Sequence, residues 1–412
     1  MHGTVESLTE RQTLHKAPHT VEAPLWARPL LRRLSQLWTH GALKLVLPNG
    51  AAWHIGDPAQ PEQVVWTLHR WGALGRMIAR GDIGFAEGYI EGDWDASDLT
   101  TLLVAFADNY DALGRIVGGS GVLRAFNAID HALAHNSKKG ARRNIMAHYD
   151  LGNDFYQAWL DPGMTYSAAV FEPASASLEQ AQVAKYEALA RATGIRPGDR
   201  VLEIGCGWGG FAEYAAREMG AEVTAITLSP SQQAFARKRL FDQGLADRAK
   251  VELIDYRDVQ GQFDRIVSIE MFEAVGQAYW PTYFDKVRSL LKPGGRAGLQ
   301  VITIRDDLFE AYRKRPDFIQ LHVFPGGMLP TEAGLLEVVH QAGMQGTIQR
   351  RFGLDYARTL KAWNETFIAE WPRIAGPGFD DRFRRLWRYY LSYCEAGFRT
   401  QRTDVVHVTL EG

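Results

Sequence analysis

Cysteine is scarce: Cys206 and Cys394 are the two in 412 residues, and they stand far apart. So few thiols at that distance exclude a disulfide scaffold and a Cys-rich zinc site, suit a reducing compartment, and give no reason to expect a metal. Net charge is nearly absent as well, at −2. No global field draws the chain to nucleic acid, and attraction to an anionic surface must come from local basic patches. No uncharged apolar run approaches the ~18 residues of a spanning helix. The opening MHGTVESLTERQTLHK lacks the apolar core of a signal peptide. Internal repeats and low-complexity tracts are missing too. What remains is an ordinary globular composition, 46% apolar and 23% charged, on a chain long enough for two or three domains. A cytoplasmic protein is expected.

Three zones are present. Residues 1–20 are polar and expected to be disordered. Residues 21–135 mix helices with a hairpin, LKLVLPNGAAWHI, turning at Pro48-Asn49-Gly50. In this zone Ser97 or Asp98 can cap the apolar helix from Leu99. The basic connector HNSKKGARRNI, with Lys138, Lys139, Arg142 and Arg143, leads into residues 136–412. There strands and helices alternate: RVLEIG, GGFAEYAAREMG, EVTAIT, SPSQQAFARKRLFDQG, KVELID, FDRIVSI, then YWPTYFDKVRSLLKPGG, a helix expected to stop at Pro293-Gly294-Gly295. Ser229 is the expected N-cap and Pro230 the first helical residue of the second helix. The strand GRAGLQVITI, a helix from about Thr331, the strand GTIQRRF, two long aromatic and basic helical stretches and a last strand DVVHVTL complete the chain. The alternation predicts an α/β fold with a doubly wound, mostly parallel sheet, preceded by a smaller α+β domain.

LEIGCGWGG, Leu202–Gly210, carries the G-x-G-x-x-G spacing at Gly205, Gly207 and Gly210. In a doubly wound sheet such a turn lies at the carboxyl ends of the strands, where ligands bind. A nicotinamide site would place Asp or Glu roughly 20 residues on, at the end of the second strand. Here that strand runs into AITLSPSQQ, without a carboxylate, while Glu203 stands two residues before Gly205. An acid there suits a ligand amino group. A turn that merely joins strand to helix is the bland alternative.

Other stretches decide between these. AHYDLGNDFYQAWLDPGMTYSAAVF, TLSPSQQ, DYRDV, FDRIVSIEMFEAVG and HVFPGGMLP, in this order with LEIGCGWGG, resemble the cyclopropane-fatty-acyl-phospholipid synthase family. The resemblance covers the chain from about residue 135 to the end, and more weakly the N-terminal half through GFAEGYIEGDWD. It implies a seven-stranded class I methyltransferase fold, S-adenosylmethionine as cofactor, and methyl transfer to olefinic lipid chains. It also implies roles. Tyr166 and Ser167 would reach the methionine end of the cofactor. Glu203, Gly205, Cys206 and Gly207 would form the loop beneath it. Thr227, Leu228 and Gln232 would hold the ribose side, and Tyr256 and Arg257 would border the adenine. From the residues alone, Thr227 and Gln232 could equally be capping groups and Tyr256 a core aromatic.

Attack of an alkene on a sulfonium methyl leaves a carbocation on the chain, which aromatic faces can stabilise. Tyr279, Trp280, Tyr283, Phe324 and Tyr356 are candidates, although such aromatics are more often core. A base must then remove a proton. Loss from the new methyl closes a cyclopropane, and loss from a chain carbon gives a methylene or methyl-branched product. In the family the base is a bound bicarbonate, and the matching positions here are Ala168, Glu273, Gln300, Ile302 and Tyr356. Ala168 replaces a cysteine, Gln300 a histidine, and Ala274 a frequent histidine. Gln300 can still hydrogen-bond; the Ala168 side chain cannot. Bicarbonate is therefore in doubt as a cofactor, and without it Glu273 or Tyr356 becomes the candidate base.

The implied partner is a phospholipid bilayer with unsaturated acyl chains, not nucleic acid, and a homodimer is left open. A peripheral location on the inner face of the membrane follows. PLWARPLLRRLSQLWTHG puts Leu30, Leu31, Leu34, Leu37 and Trp38 on one helical face near Arg32 and Arg33, as in an interfacial helix or in one packed on its own domain. RFRRLWRYYLSYCEAGFRTQR reads as a helix packing on the sheet with arginine stems over apolar surface. Methylation of a soluble small molecule and a non-catalytic lipid-binding relative are the alternatives to lipid methyl transfer.

Overall fold

The computed structural model describes residues 22–57, 59–117 and 151–412. The expected disordered segment and the basic connector lie outside the described residues.

The N-terminal part holds α1 (Arg28–Leu37), β1 (Ala42–Val46), β2 (Ala52–Gly56), β3 (Val65–Leu68), α2 (Gly72–Arg80), α3 (Asp82–Ile90), β4 (Trp94–Ala96), α4 (Leu99–Asp108) and α5 (Tyr110–Val117). The expected hairpin is β1–β2. Its turn is closed by the Gly50 amide on Leu47 O at 2.8 Å, with Gly50 at φ +81°. The four strands form a sheet in the order β2-β1-β3-β4. Asp98, not Ser97, caps α4: its side chain accepts from Thr101 N at 2.7 Å. Ser97 Oγ instead accepts from Val65 N and holds the edge of β3.

The face of α1 expected at a membrane is used internally. Leu31, Leu34 and Trp38 are buried, and Leu30 and Leu37 pack half-buried on the same core. Trp38 meets Phe106 edge-on at 5.2 Å. Hydrophobic gain within the domain removes those side chains from any bilayer contact. The interfacial reading of this helix is thus overturned.

The second part holds α6 (Asn153–Gln157), α7 (Leu178–Thr193), β5 (Arg200–Ile204), α8 (Gly210–Arg217), β6 (Glu222–Thr227), α9 (Pro230–Asp242), β7 (Ala249–Leu253), β8 (Phe263–Ile269), α10 (Trp280–Leu290) and β9 (Leu291–Ile304). It continues through α11 (Asp306–Tyr312), α12 (Phe318–His322), α13 (Glu332–Gln341), β10 (Gln345–Arg351), α14 (Gly353–Ile374), α15 (Asp381–Arg399) and β11 (Thr403–Glu411). The seven strands lie in the order β10-β11-β9-β8-β5-β6-β7. Strands β7, β6, β5, β8 and β9 pair in parallel, and β11 is antiparallel to β9 and β10. This is the doubly wound sheet the alternation predicts. Strand order reverses between β5 and β8, so their carboxyl ends open a crevice. Ser229 caps α9 through Gln232 N, with Pro230 in the first turn. α10 ends at Leu290, before the Pro-Gly-Gly, because Leu291 already pairs with Phe263 on β8.

α15 differs from its expected packing. It lies chiefly on α14, α4 and α3 and only marginally on β11. One apolar core therefore joins Trp66, Phe85 and Trp94 of the N-terminal part to Trp363, Trp387 and Phe398 of the second. Among the described residues, no helix is long and apolar enough to cross a membrane.

Candidate active site

A cavity of about 590 Å³ opens at the carboxyl ends of β5, β6 and β8, and extends under α4 to Leu103 and Phe106. Its floor is the turn after β5. The Gly205 and Cys206 amides both donate to Ile226 O, at 3.0 and 2.9 Å, which ties the turn to β6. Gly205 has φ +84°, and a Cβ there would sit 2.7 Å from Met271 Cγ. Gly207 has φ +51° with open space around it. The Cys206 thiol lines the floor, and burial drives its pKa well up.

Glu203, at the end of β5, is buried, and its Oε2 has no hydrogen-bond partner. Burial pushes its pKa up to about 8, against the pull of Lys185 and Arg239. An unpartnered buried oxygen on a cavity wall calls for a ligand donor, so the residues fit the amino and hydroxyl groups of S-adenosylmethionine. Thr227, Leu228 and Gln232 also line the cavity. The Thr227 hydroxyl donates to Gln232 Oε1 at 2.9 Å, while Ser229 does the capping. Tyr256, Tyr166 and Ser167 are on the wall. Tyr166 and Tyr390 hydroxyls are 2.7 Å apart.

Arg257 is not among the lining residues. Its guanidinium forks onto Asp255, Nε to Oδ1 at 2.8 Å and Nη2 to Oδ2 at 2.6 Å, and lies over the Tyr256 ring. It braces the Tyr256 turn. Of the aromatic candidates, Phe324 and Tyr356 line the cavity; Trp280 and Tyr283 are buried in the core around Phe272, and Tyr279 does not line it either.

The segment after β8, beside the glycine turn, carries two carboxyls. Glu273, in the short turn Phe272–Ala274, accepts from Ile302 N through Oε1 at 2.5 Å, and its Oε2 has no partner. Burial, then the neighbouring Glu270 charge, push its pKa up to about 8. Glu270 accepts from Ala168 N at 2.8 Å and Gln300 Nε2 at 2.7 Å on Oε1, and from the Tyr356 hydroxyl at 2.6 Å on Oε2. Burial raises its pKa, opposed by those donors and by Lys185. Gln300 does not line the cavity. It stands behind Glu270, with its oxygen 2.9 Å from His407 Nε2. Burial holds the His407 pKa down at about 3, so the ring is neutral and Nε2–H donates.

Bicarbonate does not fit here. Three of the groups matched to it (Ala168 through its amide, Gln300 and Tyr356) already serve Glu270, and an anion would face two carboxyls. Among the described residues no group of three His, Cys, Asp or Glu could hold a metal.

Sequence reading missed Glu270 and Lys185. Glu270 stands one residue past the end of β8, where a doubly wound sheet presents its ligand-facing groups. Lys185 replaces an apolar residue in the buried row Ala181, Lys185, Leu189 of α7, a helical i, i+4 position where a charge needs a reason.

The family model of mycolic acid cyclopropane synthetase matches residues 136–408. The chain belongs to this family. It is 39% identical over 405 residues to tuberculostearic acid methyltransferase UfaA1 of Mycobacterium tuberculosis, covering 96% of this chain and 93% of that one. It is 38% identical over 339 residues to the cyclopropane-fatty-acyl-phospholipid synthase of Escherichia coli, covering 79% and 82%. Among family members of known structure, mycolic acid cyclopropane synthase CmaA1, complexed with SAH and CTAB, superposes with a TM-score of 0.61 at 29% identity, over 66% of this chain and 98% of that one.

Proposed function

We propose that this S-adenosylmethionine-dependent methyltransferase of the cyclopropane synthase type adds a methyl(ene) unit to the cis double bond of unsaturated acyl chains of membrane phospholipids, forming a cyclopropane. The observation that carries the reading is the cavity itself. It begins at a glycine turn suited to an adenosyl ligand and continues into an apolar, aromatic space with buried carboxyls between.

When bound, S-adenosylmethionine supplies an electrophilic methyl on a sulfonium sulfur. Glu203, Gly205, Cys206, Gly207, Thr227, Leu228, Gln232, Tyr256, Tyr166 and Ser167 would hold it, with Arg257 supporting Tyr256. An alkene is a weak nucleophile, so the residues contribute orientation and exclusion of water. Phe324 and Tyr356, on the cavity wall, would supply aromatic surface near the cation that forms on the acyl chain. Glu273, Ile302 and Tyr356 line the place where a proton must leave, with Gln300 behind Glu270.

A second reading, a methylene or methyl-branched chain, is favoured by one observation: the tuberculostearic acid methyltransferase aligns over 96% of this chain. The resemblance adds that Ala168 and Gln300 stand where a cysteine and a histidine are expected. For access to lipid, residues 21–135 would form the lipid-associated domain and 136–412 the catalytic one. The enzyme would sit peripherally on the inner membrane face. Leu25 and Trp26, exposed ahead of α1, suit such contact better than the buried face of α1.

The test is incubation of purified enzyme with methyl-labelled cofactor and vesicles of monounsaturated phospholipid. Label in the acyl chains is expected. Mild hydrogenation then separates the products: a methylene takes up hydrogen, a cyclopropane resists. Absence of label from every olefinic lipid tried would overturn the reading.

A further inference from the structure

We propose that the Glu270 carboxylate is the base that takes the proton from the methylated acyl chain, in the place a bound anion would otherwise fill. This rests on the lipid-methylation reading above.

Three observations carry it. First, the partners are donors: two N–H groups and a tyrosine hydroxyl converge on one carboxyl, from the segment after Ser167, from β9 and from α14. Amide N–H groups cannot accept, so the arrangement holds the ionised form. A carboxylate has about four acceptor sites. Three are used here, which leaves one for a substrate proton on a group that lines the cavity. Second, the arrangement is held from behind. His407 fixes the Gln300 amide so that its NH₂ group faces Glu270, and Lys185 lends a compensating charge. Third, Glu270 has φ +47°. A non-glycine residue in the left-handed region is held there at some cost, and such positions cluster at functional sites.

Glu273 is the less suitable base. It has one amide donor on Oε1 and a bare buried Oε2. Two neighbouring carboxyls in such unequal surroundings divide into a base and a neutral acid.

In the step, an oxygen of Glu270 takes one proton, either from the new methyl, which is one carbon removed from the cationic centre, or from a chain carbon next to that centre. The freed C–H electron pair forms the third ring bond, or a C=C bond if the proton comes from the chain. The chain loses its positive charge and the carboxylate becomes a carboxylic acid. That proton passes to water when product leaves.

The experiment compares wild type, Glu270→Gln and Glu270→Gly in CO₂-free buffer, with and without added bicarbonate, reading label transfer to monounsaturated phospholipid vesicles. Glycine is at ease at positive φ, so Glu270→Gly adds no backbone strain, and a thermal melt checks that it folds. Cofactor binding by calorimetry checks both variants. Wild type is expected to work equally well with and without bicarbonate. Both variants should lose about 100-fold or more in rate while still binding cofactor. Bicarbonate should restore part of the rate to Glu270→Gly alone, because the glutamine still fills the space. Carbon-13 bicarbonate line broadening supplies a readout independent of turnover: binding to Glu270→Gly, none to wild type. Bicarbonate dependence or bicarbonate binding in wild type, or near-wild-type turnover by Glu270→Gln, overturns the proposal. A wild type that labels no lipid at all sinks the functional reading instead, and is recognised by that.

Discussion

The Lys185 ammonium donates to the Ser167 hydroxyl across 2.7 Å, wholly inside the protein. Burial pulls its pKa down to about 8, while Glu270, Asp161 and Glu203 pull the other way. The lysine is a buried cation that acts on all three carboxyls, joined at Glu203 and Asp161 by Arg239, and it fixes Ser167 on the cavity wall. Removing one partner of a buried charge group leaves the others uncompensated. Lys185→Met should therefore cost on the order of 3 kcal/mol, measured by urea denaturation, and should lower label transfer even where the fold is retained.

Gly205 and Gly207 separate packing from ligand contact. Alanine at 205 would drive a Cβ to 2.7 Å from Met271 Cγ at φ +84°, whereas alanine at 207 meets nothing within 4 Å. Gly207→Ala pays only the left-handed backbone term, about 1–2 kcal/mol. The fold should survive while cofactor affinity falls tenfold or more, as a methyl group enters the space over the turn. Gly205→Ala should lower the melting temperature as well. Calorimetry and thermal melts on the pair check this. Equal affinity in Gly207→Ala and wild type would remove the turn from the binding site.

How far such features can be read without coordinates depends on sequence distance. The central strands of the large sheet were legible because both faces are buried, so each appears as an apolar run ending in a turn or cap. β3 and β4, four and three residues long, carry too little periodicity to stand out. Thr227 and Gln232 entered only through the family resemblance, while the glycine turn is local and its spacing was legible. Glu270 was not, because its partners lie 102, 30 and 86 residues away and only the fold gathers them. Arg257 is held by Asp255, two residues away, and is not among the cavity's lining residues.

Glu203 and Glu273 make stability depend on pH with a definite sign. Both are raised to about 8 from an ordinary 4.5. Between those values the folded chain keeps protons that the unfolded chain has released, so these groups' contribution is full below about pH 4.5 and is lost as pH rises through about 8. Lys185 acts the other way, adding stability as pH climbs from about 8 toward 10.5. Glu273→Gln deletes one of the two carboxyl terms and keeps an oxygen for Ile302 N. Relative to wild type it should gain on the order of 2–4 kcal/mol between pH 5 and pH 8. Urea midpoints at the two pH values measure it, and an unchanged difference would mean that Glu273 is not held protonated.

Arg385 of α15 binds the N-terminal part to the catalytic part. Its Nε donates to Tyr89 O, its Nη2 to Trp94 O at 2.7 Å and Asp95 Oδ1 at 2.8 Å, and its guanidinium lies over the Tyr89 ring at 4.1 Å. The same N-terminal part supplies Phe85, Leu103 and Phe106 to the cavity, at a distance in sequence from the glycine turn. Loosening this joint should therefore disturb the apolar end and spare the cofactor end. Arg385→Lys keeps the charge but loses the planar fork. It should cost about 2 kcal/mol of stability and raise the KM for phospholipid vesicles several-fold while the Kd for S-adenosylmethionine holds. If both constants move together, the N-terminal part is acting on the whole site; if neither moves, its wall does not meet the acyl chain.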